Sequence, residues 1–245
     1  MVENAVKLLT AFAALLGAVA WPILIGFLVF FFRKEIRAAA TRLPIFLDRV
    51  QKMKIAGIEA ELEKLATEPQ EKNPEGSVTS QQIRIAARIQ ADAADVGADA
   101  LAHEMDKLCI EYDTIRLTMP SGRDKTDAMT KVMVRMRSLG PAVAEKIEIY
   151  MGSGSPGSRL AAVAIMQMAP QKADITWLLE RFSCEQPFIF YHAALALSNA
   201  ANSRSGAERQ AIREAAKKAY DVVFSFPGKP DEGTLHVLKP LAGVA

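Results

Sequence analysis

The sequence predicts an all-α protein: one N-terminal transmembrane helix, a basic juxtamembrane helix, a linker, and a cytoplasmic helical bundle or short HEAT-like array. Three observations carry this prediction. No residue from Leu8 to Phe32 is charged. Past residue 80 the apolar residues recur at three- and four-residue steps. Gly and Pro punctuate those runs at helix-length intervals. The composition fits one folded domain with an appendage: 245 residues, half of them apolar and 24% charged. Lys and Arg number 30 and Asp and Glu 28, a net charge of +2 that gives no global reason to bind nucleic acid. Cys109 and Cys184 stand far apart with no CxxC, which excludes a disulfide scaffold and a zinc ribbon and suits a reducing cytoplasm. Three histidines are few for a metalloenzyme.

Residues 1–32 read as a membrane anchor. The 25 uncharged residues from Leu8 to Phe32, at about 1.5 Å per residue, cover a bilayer core of about 30 Å. A globular helix of that length needs a polar face, and this run has none. A signal peptide is the competing reading, with Lys7 as its basic start and Ala18-Val19-Ala20 as its cleavage site. The apolar run continues through Phe30-Phe31-Phe32, so an uncut anchor fits better. Arg33, Lys34, Arg37 and Arg42 follow it, against Glu3 and Lys7 before it. The positive-inside rule then puts the N-terminus outside the bacterial inner membrane and the rest in the cytoplasm. Pro22 is expected to kink the span, and no ionisable side chain lies within it to serve an ion site.

Residues 33–65 form the juxtamembrane segment. From 33 to 54 the net charge is +5, and from 59 to 71 it is −4. Ile36, Leu43, Val50 and Gly57 recur every seven residues, with Ala39, Phe46, Met53 and Ala60 three later. This is a coiled-coil seam for self-association, carried by Ile36, Phe46, Val50 and Met53, and it implies a homo-oligomer. The other reading is an amphipathic helix lying on the inner leaflet, with Arg33, Lys34, Arg37 and Arg42 against anionic lipid. Ile58 to Glu63 alternates like a strand while its Glu, Ala and Leu content favours helix, so the state of 55–65 stays open. Residues 66–80, with Pro69, Pro74 and Gly76, form a linker.

Residues 81–226 read as helical throughout. Gln81 to Asp95 is a first helix. Ala98 to Thr118 is the most periodic, with Leu101, Met105, Leu108, Tyr112, Ile115 and Met119 in steps of four and three. Met119-Pro120-Ser121-Gly122 stops it, and Asp124 is placed to cap a helix with Met129, Val132, Met133 and Met136 on its apolar face. Gly140-Pro141 ends that helix and begins another through Ile149. Beyond a Gly/Ser loop at 152–158, helices are predicted over 158–169, 173–183, 187–201 and 206–225. Residues 227–245 read as a loosely held tail. Between 81 and 226, 18 bases face 17 acids, so no polybasic nucleic-acid groove is indicated.

Chemical motifs are sparse. Gly152-Ser-Gly154-Ser-Pro-Gly157 matches GxGxxG ahead of a helix, and Ser155, Ser158 and Arg159 are its candidate anion-binding groups. Pro156 removes one amide donor and no βαβ pattern follows, so a flexible hinge between two helical layers is the favoured reading of the loop. Cys184 and His192 suggest a Cys–His nucleophile, but no oxyanion loop flanks the cysteine. His103, Asp106 and Cys109 share one helix face and fall short of a metal set. The methionines at 129, 133, 136, 166 and 168 read as core filling. Trp177, Phe182, Phe188, Phe190 and Tyr191 read as an aromatic group knitting the last helices together, part of it open to a partner. No catalytic residue, metal or cofactor is assigned, and the chain is not read as an enzyme.

The plan resembles small membrane-anchored proteins of bacterial anti-phage defence and conflict operons. Phe32-Arg33-Lys34 and Gly57-Ile58-Glu59-Ala60-Glu61 carry the likeness at the N-terminal end. Gly157-Ser-Arg159-Leu-Ala-Ala, Trp177-Leu-Leu-Glu180-Arg and the run from Glu185 to Leu197 look like helical C-terminal modules of uncharacterised bacterial proteins. The resemblance implies a defence or signalling role and no catalytic residues. The function expected is a membrane-anchored, non-catalytic interaction or signal-sensing protein with a cytoplasmic protein partner. The alternative is a self-assembling membrane-disrupting effector triggered through its cytoplasmic domain.

Overall fold

The computed structural model describes residues 17, 20–22, 24–67 and 78–244, with the side chains of 36 and 38–48 left out. The chain divides into two compact units, Met1–Met53 and Lys54–Ala245. Every regular element among the described residues is helical, so the all-α class holds.

In the first unit, residues 24–31 are helical, Phe32 is a turn, and helix α1 (Arg33–Thr67) begins at once. The aromatic side chains of 27–32 are exposed. Phe27 stacks on Phe31 at 5.9 Å, and the Arg33 guanidinium lies 4.9 Å from the Phe30 ring centre. Residues 17 and 20–22 are helical as well. Most of the apolar run before residue 24 lies outside the described residues. Helix α1 is long enough but charged along its length. No helix among the described residues is long and apolar enough to cross a membrane. The predicted single-pass inner-membrane location, with the N-terminus outside, is therefore corrected. Arg33, Lys34 and Arg37 are exposed, and the side chain of Arg42 lies outside the described set.

Helix α1 runs through Pro44 and through Ile58–Glu63 without a break, which resolves the segment left open at 55–65 as helix. Strong helix formers outweigh the alternating pattern there. In the second unit Ile58, Leu62, Leu65 and Ala66 are buried, a three- and four-step stripe on the core. The seam positions Gly57, Ala60 and Met53 are exposed and Val50 is half-buried, while Ile36 and Phe46 have undescribed side chains.

The rest of the second unit follows in chain order: α2 (Ser80–Val96), α3 (Ala98–Thr118), α4 (Arg123–Leu139), a 3-10 turn (Gly140–Lys146), α5 (Ile147–Met151), α6 (Pro156–Met168), a short 3-10 turn (Pro170–Lys172), α7 (Ile175–Cys184), α8 (Pro187–Ser203), α9 (Gly206–Phe224) and α10 (Glu232–Ala242). Thr79 caps α2 with a full capping box: its hydroxyl accepts from the Gln82 amide, and the Gln82 side chain accepts from the Thr79 amide. Gly97, at φ +91°, lets α3 start one residue after α2 ends. Asp174 and Asp231 cap α7 and α10 through the amides of Trp177 and Thr234, each at 3.0 Å.

Helix α6 is the axis, packing on α3, α4, α5 and α8. Leu160 to Met166 are all fully buried. A short apolar helix with no polar face can exist only when surrounded. Helices α7 to α10 close the bundle, α9 packing on α7, α8 and α10. The tail expected to be loose is thus mostly helix α10, with Thr234 and Leu238 fully buried.

Candidate functional site

The chemistry-bearing residues of the second unit gather around helix α4. Met129, Met133 and Arg137 follow one another at four-residue spacing, so they share one face of it. That face borders a cavity of about 540 Å³. Helix α3 adds Tyr112, the following loop adds Ser121, Lys125 and Thr126 stand in the first turns of α4, α8 adds Phe188, Tyr191 and His192, and the start of α10 adds Asp231 and Gly233. The walls are therefore aromatic and thioether in character, with a guanidinium set among them. Pockets of this size suit small organic ligands.

Arg137 is buried, and its contacts fix both neighbours. Its Nε donates to Gln167 Oε1 at 2.6 Å, and Gln167 Nε2 donates to the His192 carbonyl at 2.6 Å. An Arg137 terminal nitrogen lies 3.2 Å from His192 Nδ1. A guanidinium only donates, so Nδ1 accepts and the imidazole is neutral with its proton on Nε2. Burial first, and the Arg137 charge second, hold the His192 pKa well below its ordinary value. Burial lowers Arg137 to about 10, which leaves it charged at neutral pH. Phe188 meets the His192 ring edge-on at 4.7 Å and Tyr191 at 5.2 Å, locking it in place. Lys125 donates to the carbonyls of Arg116 and Met119 at 2.7 and 3.0 Å, tying the end of α3 to the start of α4.

The GxGxxG loop is organised around a carboxylate of the chain itself. Asp113 of α3 accepts from the Gly157 amide at 2.8 Å and from the Ser155 hydroxyl, while Ser155 Oγ accepts from the Ser158 amide at 3.2 Å. Arg159 pairs with Glu185 and donates to the Gly154 carbonyl at 2.7 Å. Arg181 approaches the same Glu185 at 3.7 Å while lying 4.3 Å above the Trp177 ring. Ser155, Ser158 and Arg159 thus meet at the start of α6, where Asp113 occupies the place an external anion would take.

The other candidates are dispersed. Cys184 is exposed and donates its thiol to the Glu180 carbonyl, while His192 is buried beside Arg137. Cys109 is buried, and desolvation pushes its thiol up to about 12. His103 is exposed on the same helix. No group of three or more His, Cys, Asp or Glu side chains is placed to hold a metal ion among the described residues. Phe182 and Phe190 join the core, with Phe182 and Phe190 rings 6.1 Å apart. Sequence reasoning missed Arg137 and Gln167. The available signal was an arginine continuing the apolar stripe Met129–Met133, where a charge has no reason to stand unless it is used. No family model, curated protein or solved structure matches the chain.

Proposed function

We propose that the unit Lys54–Ala245 is a non-catalytic signal-sensing module that binds a small molecule and relays occupancy to a protein partner. The observation that carries this reading is the cavity beside Arg137, of about 540 Å³. Its buried polar groups are immobilised: His192 is neutral with Nδ1 engaged, and Arg137 is held by Gln167 from behind the wall. Groups fixed in this way suit recognition better than proton transfer, which needs a base near its working pKa with a free lone pair. The cavity is bordered by α3, α4, α8 and α10, so a ligand bridging them would stiffen the C-terminal helix and alter the surface offered to a partner. The likeness to anti-phage defence proteins adds a defence or signalling setting to this proposal. The membrane-disrupting alternative required a transmembrane span and is not retained.

The test is incubation of the purified chain with a protein-free small-molecule extract, followed by mass spectrometry of what co-elutes. The expected result is a bound compound recovered chemically unchanged. Conversion of that compound into a product would overturn the non-catalytic reading.

A further inference from the structure

Resting on the partner relay proposed above, we infer that the groove between α2 and the end of α8 receives the protein partner, as an extended, uncharged peptide segment carrying a large apolar side chain. The groove has a volume of about 770 Å³ and is closed on its other sides by the turns Gly140–Lys146 and Pro170–Lys172. Ile83, Ala87 and Gln90 share one face of α2 along its wall. All three are exposed, Ile83 by 54%. They cover about 10 Å of helix axis, the reach of about three residues of extended chain. An isoleucine left open beside polar neighbours is the contact for the partner's apolar side chain.

Charge narrows the class of partner. Among the described residues the groove is lined by two charged side chains, Glu145 and Lys172, and these pair with each other at 2.8 Å. A nucleic acid or a strongly charged peptide therefore meets no complementary charge there. The polar groups on offer are side-chain amides. Gln90, Gln171 and Asn202 line the groove, are exposed, and make no side-chain hydrogen bond among the described residues. Each carries a carbonyl acceptor beside N–H donors, the same pairing that a peptide group presents. An extended segment has backbone groups available for such bonds, whereas a helical one has already joined its own.

The rim is formed in advance. Arg204 donates to the carbonyls of Pro170, Gln171 and Ala173 at 3.3, 3.3 and 2.8 Å, which fixes the turn that carries Gln171. Gln167 links the groove to the cavity. Its side chain holds Arg137 and the His192 carbonyl, while its backbone carbonyl accepts from Asn199 at the groove, at 3.0 Å.

Panning a phage library of random short peptides on the full chain, followed by titration of the enriched sequence as a synthetic peptide, tests the proposal. Enriched peptides are expected to have no net charge and to contain a large apolar residue. Ile83→Asp should weaken their binding about tenfold or more. Gln171→Leu should weaken it several-fold, and N-methylation of the central peptide bonds about tenfold. No enrichment, enrichment of strongly charged sequences, or affinity unchanged by Ile83→Asp or by N-methylation would each overturn the assignment. If a variant disturbs the fold, the N-methylated peptide titrated into the natural chain decides. A small molecule recovered unchanged from the extract, with no peptide enriched, would discard this surface and leave the sensing role standing.

Discussion

The Cys109 carbonyl oxygen stands where a side chain on Gly157 would begin: a Cβ at Gly157 would lie 2.2 Å from it. The neighbouring Cys109 carbon would be 2.8 Å away. Backbone presses on backbone where α3 crosses α6, and neither side has a flexible group that can yield. Gly157→Ala should therefore destabilise the unit by about 3 kcal/mol. Gly154→Ala, three residues earlier with open space around it, should change stability by less than about 0.5 kcal/mol. Urea denaturation of both variants checks the contrast, and equal effects would show that the crossing is looser than described.

Asp113 serves the first turn of α6 from another helix. Asp113→Ala should cost about 1–2 kcal/mol by leaving the Gly157 amide and Ser155 hydroxyl without their acceptor. Addition of phosphate or sulfate to the variant should recover part of that loss by supplying an anion at the vacated helix start. The measurement is the denaturation midpoint with and without the anion, compared at matched ionic strength.

Stability should fall on acidification below about pH 6.5 because of His192. Its folded-state pKa is held well below the ordinary value of about 6.5, by burial and then by Arg137. The unfolded chain thus binds a proton that the native state refuses. Stability is fully present above 6.5 and is lost as the pH drops toward the folded value, at up to about 1.4 kcal/mol per pH unit. His192→Gln removes the titration and should flatten this slope. An unchanged slope in that variant would assign the acid sensitivity to other groups.

The end of α1 is held to the bundle by apolar contact more than by charge. Lys54 pairs with Asp95, Glu59 with Lys107, Glu61 with Arg88 and Glu63 with Arg135, yet most of these side chains are well exposed. Such pairs contribute little in water. Leu62→Ala should cost about 2–4 kcal/mol and speed proteolysis within 54–67, whereas Lys107→Ala should cost under about 1 kcal/mol. Limited proteolysis in 1 M NaCl should leave 54–67 as protected as in low salt.

Local signals were strong for helix identity. Ala98–Thr118 is bounded in the structure as its four- and three-residue steps predict, because Gly97 and Met119-Pro120 mark both ends. The segment 140–149 proved harder: Gly140 and Pro141 open a 3-10 turn, and the α-helix starts only at Ile147. The C-terminal helix was hidden by Pro240, which sits inside it, although Asp231 and Thr234 already spelled its cap. At the N-terminal end, no helix among the described residues is long and apolar enough to cross a membrane, and much of the uncharged run that predicted a span lies outside them. The loop at 152–158 was legible as an anion-binding shape. That Asp113 would supply the anion depends on a helix crossing between residues 44 apart, which no local pattern encodes. Arg137 was visible as a charge on an apolar stripe, but its partners Gln167 and His192 lie 30 and 55 residues away.

Helix α6, from Leu160 to Met166, has no side open to solvent. Its amide protons can reach water only when the surrounding helices part together, so their deuterium uptake reports the opening of the whole unit rather than local fraying. Those amides form an internal clock: any ligand that tightens the bundle slows them by its full binding free energy, whichever cavity it enters.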